Sequence, residues 1–448
     1  MKRLACVLFL AILASPAGAQ VLDARRLGMG MVATSDNGAS TTGNVAFRAV
    51  PKGAGARGSI PLPMGIIQYL SDPPSFDPND SDFNVFSILD LAANPPMTLS
   101  LSDPGDVSSD ISIFVAQDSL RVDLADVRKA IPKESMKFGG VYHLFGVGKS
   151  FGAFFVQFGP LVHVRNELSL SDKFRAALRD AEPFTSNTRY GIKDEGVVQA
   201  AIAYQVGYAI RAFHAAARAE SASADPRRNG STAVYVGAAP KYLMGLAYGQ
   251  IISNGGVTTG DTLFGSSDQV AVDLAGLTRH AAIGGDGGIG HGLGADLGTV
   301  LYWRNFELGI GVTDVGSTIH WSTSRNLLTY DDSLNEFTNV KVADNAGFSS
   351  RIPSTATFNI AKRIGPTTVA ADVVRNELYT GIHMGAETWF GKVALRGGTY
   401  RDSNDRWQFT GGTGIRFGGI GLDTALGTNQ RNTQEARAVE LCASITLY

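Results

Sequence analysis

Five ionisable residues near the C-terminus, Asp372, Glu387, Arg396, Arg416 and Asp423, are the ones whose types and spacing could do chemistry. Each stands among small or apolar residues on one side of a short segment whose other side is apolar. Val369, Ala371 and Val373 oppose Asp372, and Ile382, Met384, Ala386 and Phe390 oppose Glu387. Val393 and Leu395 oppose Arg396, Ile415 and Phe417 oppose Arg416, and Ile420, Leu422 and Leu426 oppose Asp423. Successive side chains of a strand point to opposite faces, so the five charges share one side of a sheet. Three carboxylates and two guanidiniums facing one space admit two uses. Opposite charges on neighbouring strands can pair and pin the register. Alternatively the set lines a conduit, and Arg396 and Arg416 grip the acidic group of an amphipathic ligand.

Other chemistry has less to stand on. His143, His163, His214, His280, His291, His320 and His383 show no metal-ligand spacing, and no G-x-S-x-G elbow is present. Residues 285–290 match G-x-G-x-x-G but lead into an alternating strand, where a phosphate cradle would need a helix N-terminus. Asp77, Asn79, Asp80 and Asp82 could offer oxygens to calcium, yet the loop lacks the central glycine and terminal glutamate of an EF-hand. The expectation is a protein that is not an enzyme, with no cofactor and no metal site.

The elements that must position the five charges are short alternating strands. Beyond residues 58–70, strand-like stretches cover 137–145, 151–165, 196–214, 231–253, 287–303 and 306–321, and a closing ladder runs over 351–448. The first two of these pair around Gly146-Val147-Gly148. The count comes to about twelve to fourteen strands of roughly ten residues each. Helical spacing recurs at 122–131 and 171–180, the second opening on Ser171 as a cap, and both are expected as short loop helices. Residues 1–20 read as a Sec signal: Lys2 and Arg3, an apolar run, then Ala17-Gly18-Ala19. That run falls short of the about 20 residues a spanning helix needs. With Cys6 in the signal, only Cys442 is left to the mature chain, which excludes an internal disulfide framework.

An exported chain with no later apolar helix either stays soluble or crosses a membrane as a closed barrel. Three features favour the barrel. Charge is sparse at 18%, and the polar strand faces carry isolated ions, where a water-washed exterior would carry dense Lys and Glu. Aromatic residues gather near strand ends (Tyr302, Trp303, Trp321, Tyr379, Trp389, Phe390, Tyr400, Trp407, Tyr448), where interfacial girdles sit. The chain also ends in a strand at an aromatic residue, although Tyr448 shares its face with Thr446, Ser444 and Cys442. The formal net charge of −2 gives no electrostatic footprint for nucleic acid.

Several glycine-rich stretches carry a family likeness. Residues 26–39 (RLGMGMVATSDNGA) resemble the opening of FadL-like outer-membrane proteins. Residues 293–302 (LGADLGTVLY) with 308–316 (LGIGVTDVG) look like the paired D-L-G and L-G-L-x-x-x-D-x-G stretches of the same superfamily, and so does the closing ladder. The superfamily includes long-chain fatty acid transporters, the type IX secretion shuttle barrel and the conjugation-associated outer-membrane family. One departure is Asn44-Val45-Ala46, where these families commonly show Asn-Pro-Ala. The resemblance implies an all-β fold, an antiparallel transmembrane β-barrel of about 14 strands, with a luminal N-terminal segment. The expected layout is a signal peptide over 1–19, a luminal or plug segment over 20–52 and a barrel over 53–448. Helical and polar inserts are expected near 71–136, 168–195 and 322–350. The expected location is the bacterial outer membrane, with its lipid and the barrel-assembly machinery as partners. The expected role is passage or binding of a hydrophobic or amphipathic ligand; the alternative is a barrel that docks a secretion or surface-assembly partner.

Overall fold

A computed structural model describes residues 23–51, 58–62, 98–100, 112–116, 119–123, 135–143, 146–215, 226, 230–261, 270–284, 287–331, 336–377, 380–401, 407–429 and 438–448. The expected signal, the acidic loop at 77–82 and most of the 71–136 insert lie outside them. Two strands, β1 (Gly58–Pro61) and β2 (Thr98–Ser100), lie end to end along one edge of the last strand. A separate hairpin is formed by β3 (Ser112–Ala116) and β4 (Ser119–Asp123). Then β5 (Ser135–His143) and β6 (Val147–Phe151) share one edge of β7 (Phe154–Leu170). The long β8 (Arg189–Ala215) and β9 (Thr232–Thr259) follow, and β10 (Val270–Ala282) and β11 (Gly290–Trp303) share an edge of β9. Likewise β12 (Phe306–Asp331) carries both β13 (Glu336–Arg351) and β14 (Thr355–Ile364) on one edge. A regular meander completes the set: β15 (Thr367–Arg375), β16 (Thr380–Phe390), β17 (Val393–Arg401), β18 (Trp407–Phe417), β19 (Ile420–Asn429) and β20 (Ala438–Leu447).

Among the described residues eighteen strands thus join one antiparallel sheet. Four pairs of them continue one another along a neighbour's edge, which leaves fourteen staves, the number the sequence leads one to expect. The sheet curls into a barrel around the N-terminal segment, which touches β8, β9 and β11 on one side and β17 to β20 on the other. No described helix is long and apolar enough to cross a membrane.

The wall is apolar outside and polar inside. Phe358, Val369, Met384, Leu395, Phe409, Ile415, Leu422 and Leu426 are exposed, while their sequence neighbours Thr357, Asn359, Asp372, Glu387, Arg396 and Asp423 are buried. A soluble sandwich would reverse this, so the polarity is that of a barrel set in lipid. One end has tight two-residue turns, at Gly152-Ala153, Arg304-Asn305, Gly365-Pro366, Gly391-Lys392 and Gly418-Gly419. Arg304 and Asn305 both have positive φ, as a tight hairpin whose twist matches its strands requires. Most connections at the other end are longer, the asymmetry of membrane barrels.

Three expectations need correction. The turn expected at residues 146–148 is a break within one stave, and the hairpin turn comes at Gly152, where φ is +66°. Gly146 lies against the Gln157 side chain, whose amide would have to swing away to admit a side chain there. The polar insert at 322–350 is strand: β12 and β13 form a tall hairpin that pairs from Thr318 opposite Arg351 to Asp331 opposite Glu336. In addition, Tyr302, Trp321 and Tyr400 are buried and do not join an interfacial girdle, whereas Trp303, Phe390 and Trp407 are exposed. Tyr379 is not among the described residues. A helix does occupy Asp172–Arg179, capped by Ser171 Oγ accepting from the Phe174 N–H at 3.4 Å.

Candidate functional site: a luminal segment and its polar seat

Residues 23–51 run through the barrel interior and are mostly buried. A short helix, Ala24–Gly28, begins at Asp23, whose carboxylate accepts from the Arg25 N–H at 3.0 Å. The same oxygen accepts from Ser59 Oγ at 3.1 Å and Ser444 Oγ at 3.2 Å, so it joins the segment to β1 and β20. Further on, Asn44 caps a 3-10 turn over Val45–Arg48: its side chain accepts from the Ala46 N–H and donates to the Thr299 carbonyl. This is how Asn44-Val45-Ala46 makes its turn without a proline.

The wall behind this segment is stripped of side chains. A methyl at Gly385 would collide with the Met29 carbonyl, and one at Gly398 with the Gly30 backbone. Gly311 faces the Gly43 carbonyl, Gly298 faces Asn44, and Gly412 approaches the Gly28 backbone. Gly298 and Gly311 belong to the paired glycine-rich stretches; they let backbone lie on backbone.

The seat is polar. Arg25 donates from Nε to Glu387 Oε2 at 2.8 Å and from Nη2 to Oε1 at 2.6 Å, and a third bond reaches the Asp36 carbonyl at 2.7 Å. Arg396, directly across the ladder from Glu387, donates to it at 2.7 Å and pairs with Asp423 at 2.7 Å. Thr446 donates to Asp423. Asp372 accepts from the Ala33 N–H at 2.6 Å and lies 2.5 Å from His383 Nδ1. Four of the five candidate residues therefore face the lumen, and three form one ion network. Arg416 is apart from them, at the foot of β18, where it stacks 4.2 Å over the Tyr448 ring and donates to the Gly418 carbonyl at 3.1 Å. The geometry thus contains the register-pinning pair Glu387–Arg396, and it does not bring Arg396 and Arg416 together.

Several partners are invisible in sequence. Glu307 accepts from Ser35 Oγ at 2.5 Å, from Tyr302 at 3.0 Å and from Asn359 at 3.0 Å. Nothing local marks Glu307 as inward; its place opposite Tyr302 across the two-residue turn at 304–305 is the one available signal.

A second cluster lies where the staves break. Lys241 Nζ sits 2.6 Å from both Asp296 and Asp314, and all three side chains are buried. His143, the last residue of β5, reaches Asp314 at 3.0 Å, and Gln205 donates to Asp296 at 2.5 Å. Asp314 has a positive φ of 59°, the conformation an aspartate tolerates better than most residues. Its backbone N–H bonds Asp296 at 2.8 Å, and its carbonyl accepts from Ser354 at 3.0 Å. The kink in β12 is thereby tied to the β13–β14 break. Above it Gln199 reaches across to Ser350, and Leu161, Leu243, Ile319, Trp321 and Ile352 fill the space as an apolar core. Among the described residues no group of three or more His, Cys, Asp or Glu side chains is placed to hold a metal ion.

Comparison with known proteins adds a family and a set of distant likenesses. The toluene transporter TbuX of Ralstonia pickettii is 14% identical with a TM-score of 0.33, covering 70% of this chain and 80% of its own. The P. putida toluene transporter TodX is 11% identical with a TM-score of 0.27, over 70% of this chain and 88% of its own. The P pilus usher PapC pore is 9% identical with a TM-score of 0.18, over 70% and 95%. No curated protein matches. Residues 165–446, from the middle of β7 almost to the C-terminus, match a single family description. On that match over more than half its length, the chain belongs to the family of unknown function DUF5723.

Proposed function

We propose that this chain is a bacterial outer-membrane β-barrel of the FadL-like type that binds or passes hydrophobic or amphipathic molecules without transforming them. The observation that supports this most is how the luminal segment is held. Small apolar contacts, Ala24 and Leu27 against Tyr400 and Ala425 and Val32 against Ala361 and Ala370, are interspersed with hydrogen bonds, a buried ion pair and backbone laid on glycine, all reached from the lumen. Water entering the lumen can replace such contacts one at a time, so the segment can shift while the wall stays intact. Displacing Arg25 would leave Glu387, Arg396 and Asp423 as a self-paired polar floor beside the path. Asp372, Glu387, Arg396 and Asp423 are its proposed lining, and Arg416 stands outside it at the foot of β18.

The test is uptake of an apolar fluorophore into vesicles carrying the full chain. Arg25→Ala is expected to raise the rate severalfold over the unaltered protein. Rates equal to those of protein-free vesicles for both proteins, with the chain absent from outer-membrane fractions, would sink the reading.

A second reading has one observation in its favour. The lumen is occupied twice over, by the N-terminal segment below and by the apolar core around Trp321 above. A filled barrel suits a scaffold that docks a secretion or surface-assembly partner. In that case Arg25→Ala leaves vesicle uptake unchanged although the protein resides in the outer membrane.

A further inference from the structure

The outward face of β14 to β17 has a dent of about 560 Å³. Register explains it. Phe306, Lys362, Val369, Ala386, Gly397 and Gly411 occupy successive positions of one row across β12, β14, β15, β16, β17 and β18. The second half of that row has almost no side chains, and a methyl built on Gly397 would meet nothing within 4 Å. The neighbouring row carries Ile360, Ala371 and Met384, so the floor is small and the rim is large and apolar.

The rim also carries a cation that the apolar wall does not account for. Lys362 alternates with Ile360 and Ile364 and so faces outward, where a charge on a lipid-facing strand is unfavourable unless it reaches an anion or the interface. Its ammonium lies 4.5 Å from the centre of the Phe306 ring, and among the described residues no carboxylate pairs with it. It stands just above the Gly365-Pro366 turn, at the short-turn end of the barrel, so its stem can run along apolar surface while its head reaches the headgroup level.

We propose that this dent is a binding site for one glycerophospholipid of the periplasmic leaflet, with an acyl chain laid over Ala386 and Gly397 and the phosphate on Lys362. The inference rests on the outer-membrane reading above. Depth, apolar lining and a cation at headgroup height match a phosphate-bearing lipid and give a neutral diacylglycerol no partner for the charge.

The experiment uses the full chain purified in detergent, stripped of lipid and titrated with phosphatidylglycerol or with diacylglycerol of the same chains. Bound lipid is counted by native mass spectrometry. The unaltered protein is expected to hold one phosphatidylglycerol and to prefer it over diacylglycerol at least fivefold. Lys362→Gln should erase that preference, Ala386→Phe should abolish binding of both, and Leu422→Phe on β19 should change neither. Equal binding by all four proteins overturns the proposal, as does an Ala386→Phe effect confined to oligomeric state, which would make the dent a contact between copies. A heat-modifiable band on gels reports barrel insertion independently. A chain that never inserts overturns the membrane reading together with the site, whereas one that inserts and binds all lipids alike overturns the site alone.

Discussion

Arg25 and Glu387 form the tightest link between the luminal segment and the wall, two parallel bonds from one guanidinium to one buried carboxylate. Bidentate pairs of this kind are the strong ones. Removing one partner of a buried pair costs about 3–5 kcal/mol, because the survivor is left desolvated and uncompensated. Arg25→Ala is expected at the low end of that range, since Arg396 still faces Glu387. Urea titration of tryptophan fluorescence in bilayers measures it. The double variant Arg25→Ala/Glu387→Gln should cost less than the two single losses added together, and strict additivity would show that the pair is not coupled. This scale also marks how far sequence could see. The pairing of Glu387 with Arg396 was legible because two adjacent strands with a short turn fix their own register. Arg25 was not, because its partner lies 362 residues away and no local pattern connects them. Arg416 obeys the same alternation as the others, yet it stands at the foot of its strand, where it stacks on the ring of Tyr448.

At the scale of elements, the glycines of the closing ladder do more than curve the sheet. Gly385 and Gly398 lie directly under Met29 and Gly30. Gly385→Val should therefore leave β16 formed and push the luminal segment off its seat. The chain holds a reporter for that: Cys442 is buried against Ala24 and Leu27. Maleimide labelling of Cys442 in the folded barrel is expected to be slow in the unaltered protein and severalfold faster in Gly385→Val. Gly397→Ala, whose added methyl points outward, serves as the control; equal labelling in all three would mean the segment does not depend on a bare wall. Strands of the ladder were readable because one face must be greasy along its whole length. The separations of β5 from β6, β10 from β11 and β13 from β14 were not, since each is a local interruption that only neighbouring strands define. The kink at Asp314 belongs here too. Asp314→Ala leaves Lys241 with Asp296 alone and removes the carboxylate that His143 meets, so a loss of about 3 kcal/mol or more is expected in the same urea titration.

For the whole molecule, one test follows from the inverted polarity. Phe358 is half exposed on the outer face near the middle of β14, next to buried Asn359. Arg at the mid-depth of a lipid-facing strand costs about 2–4 kcal/mol, and less near the interfaces. Phe358→Arg is expected to reduce the heat-modifiable, inserted fraction in vesicles strongly, while Phe417→Arg, beside the two-residue turn, should reduce it little. If both variants insert as well as the unaltered chain, the outer face does not meet hydrocarbon.

Asp23 bonds at once to β1 and to β20, the first and the last strand of the barrel. The residues that leave the ribosome early can thus complete their set of partners only after the final strands exist. Contacts so distant along the chain are slow to form, since a very long loop must close before any of them is rewarded. Completion of the cylinder and capture of its contents are then one kinetic event, and a chain truncated before β20 should accumulate with both undone.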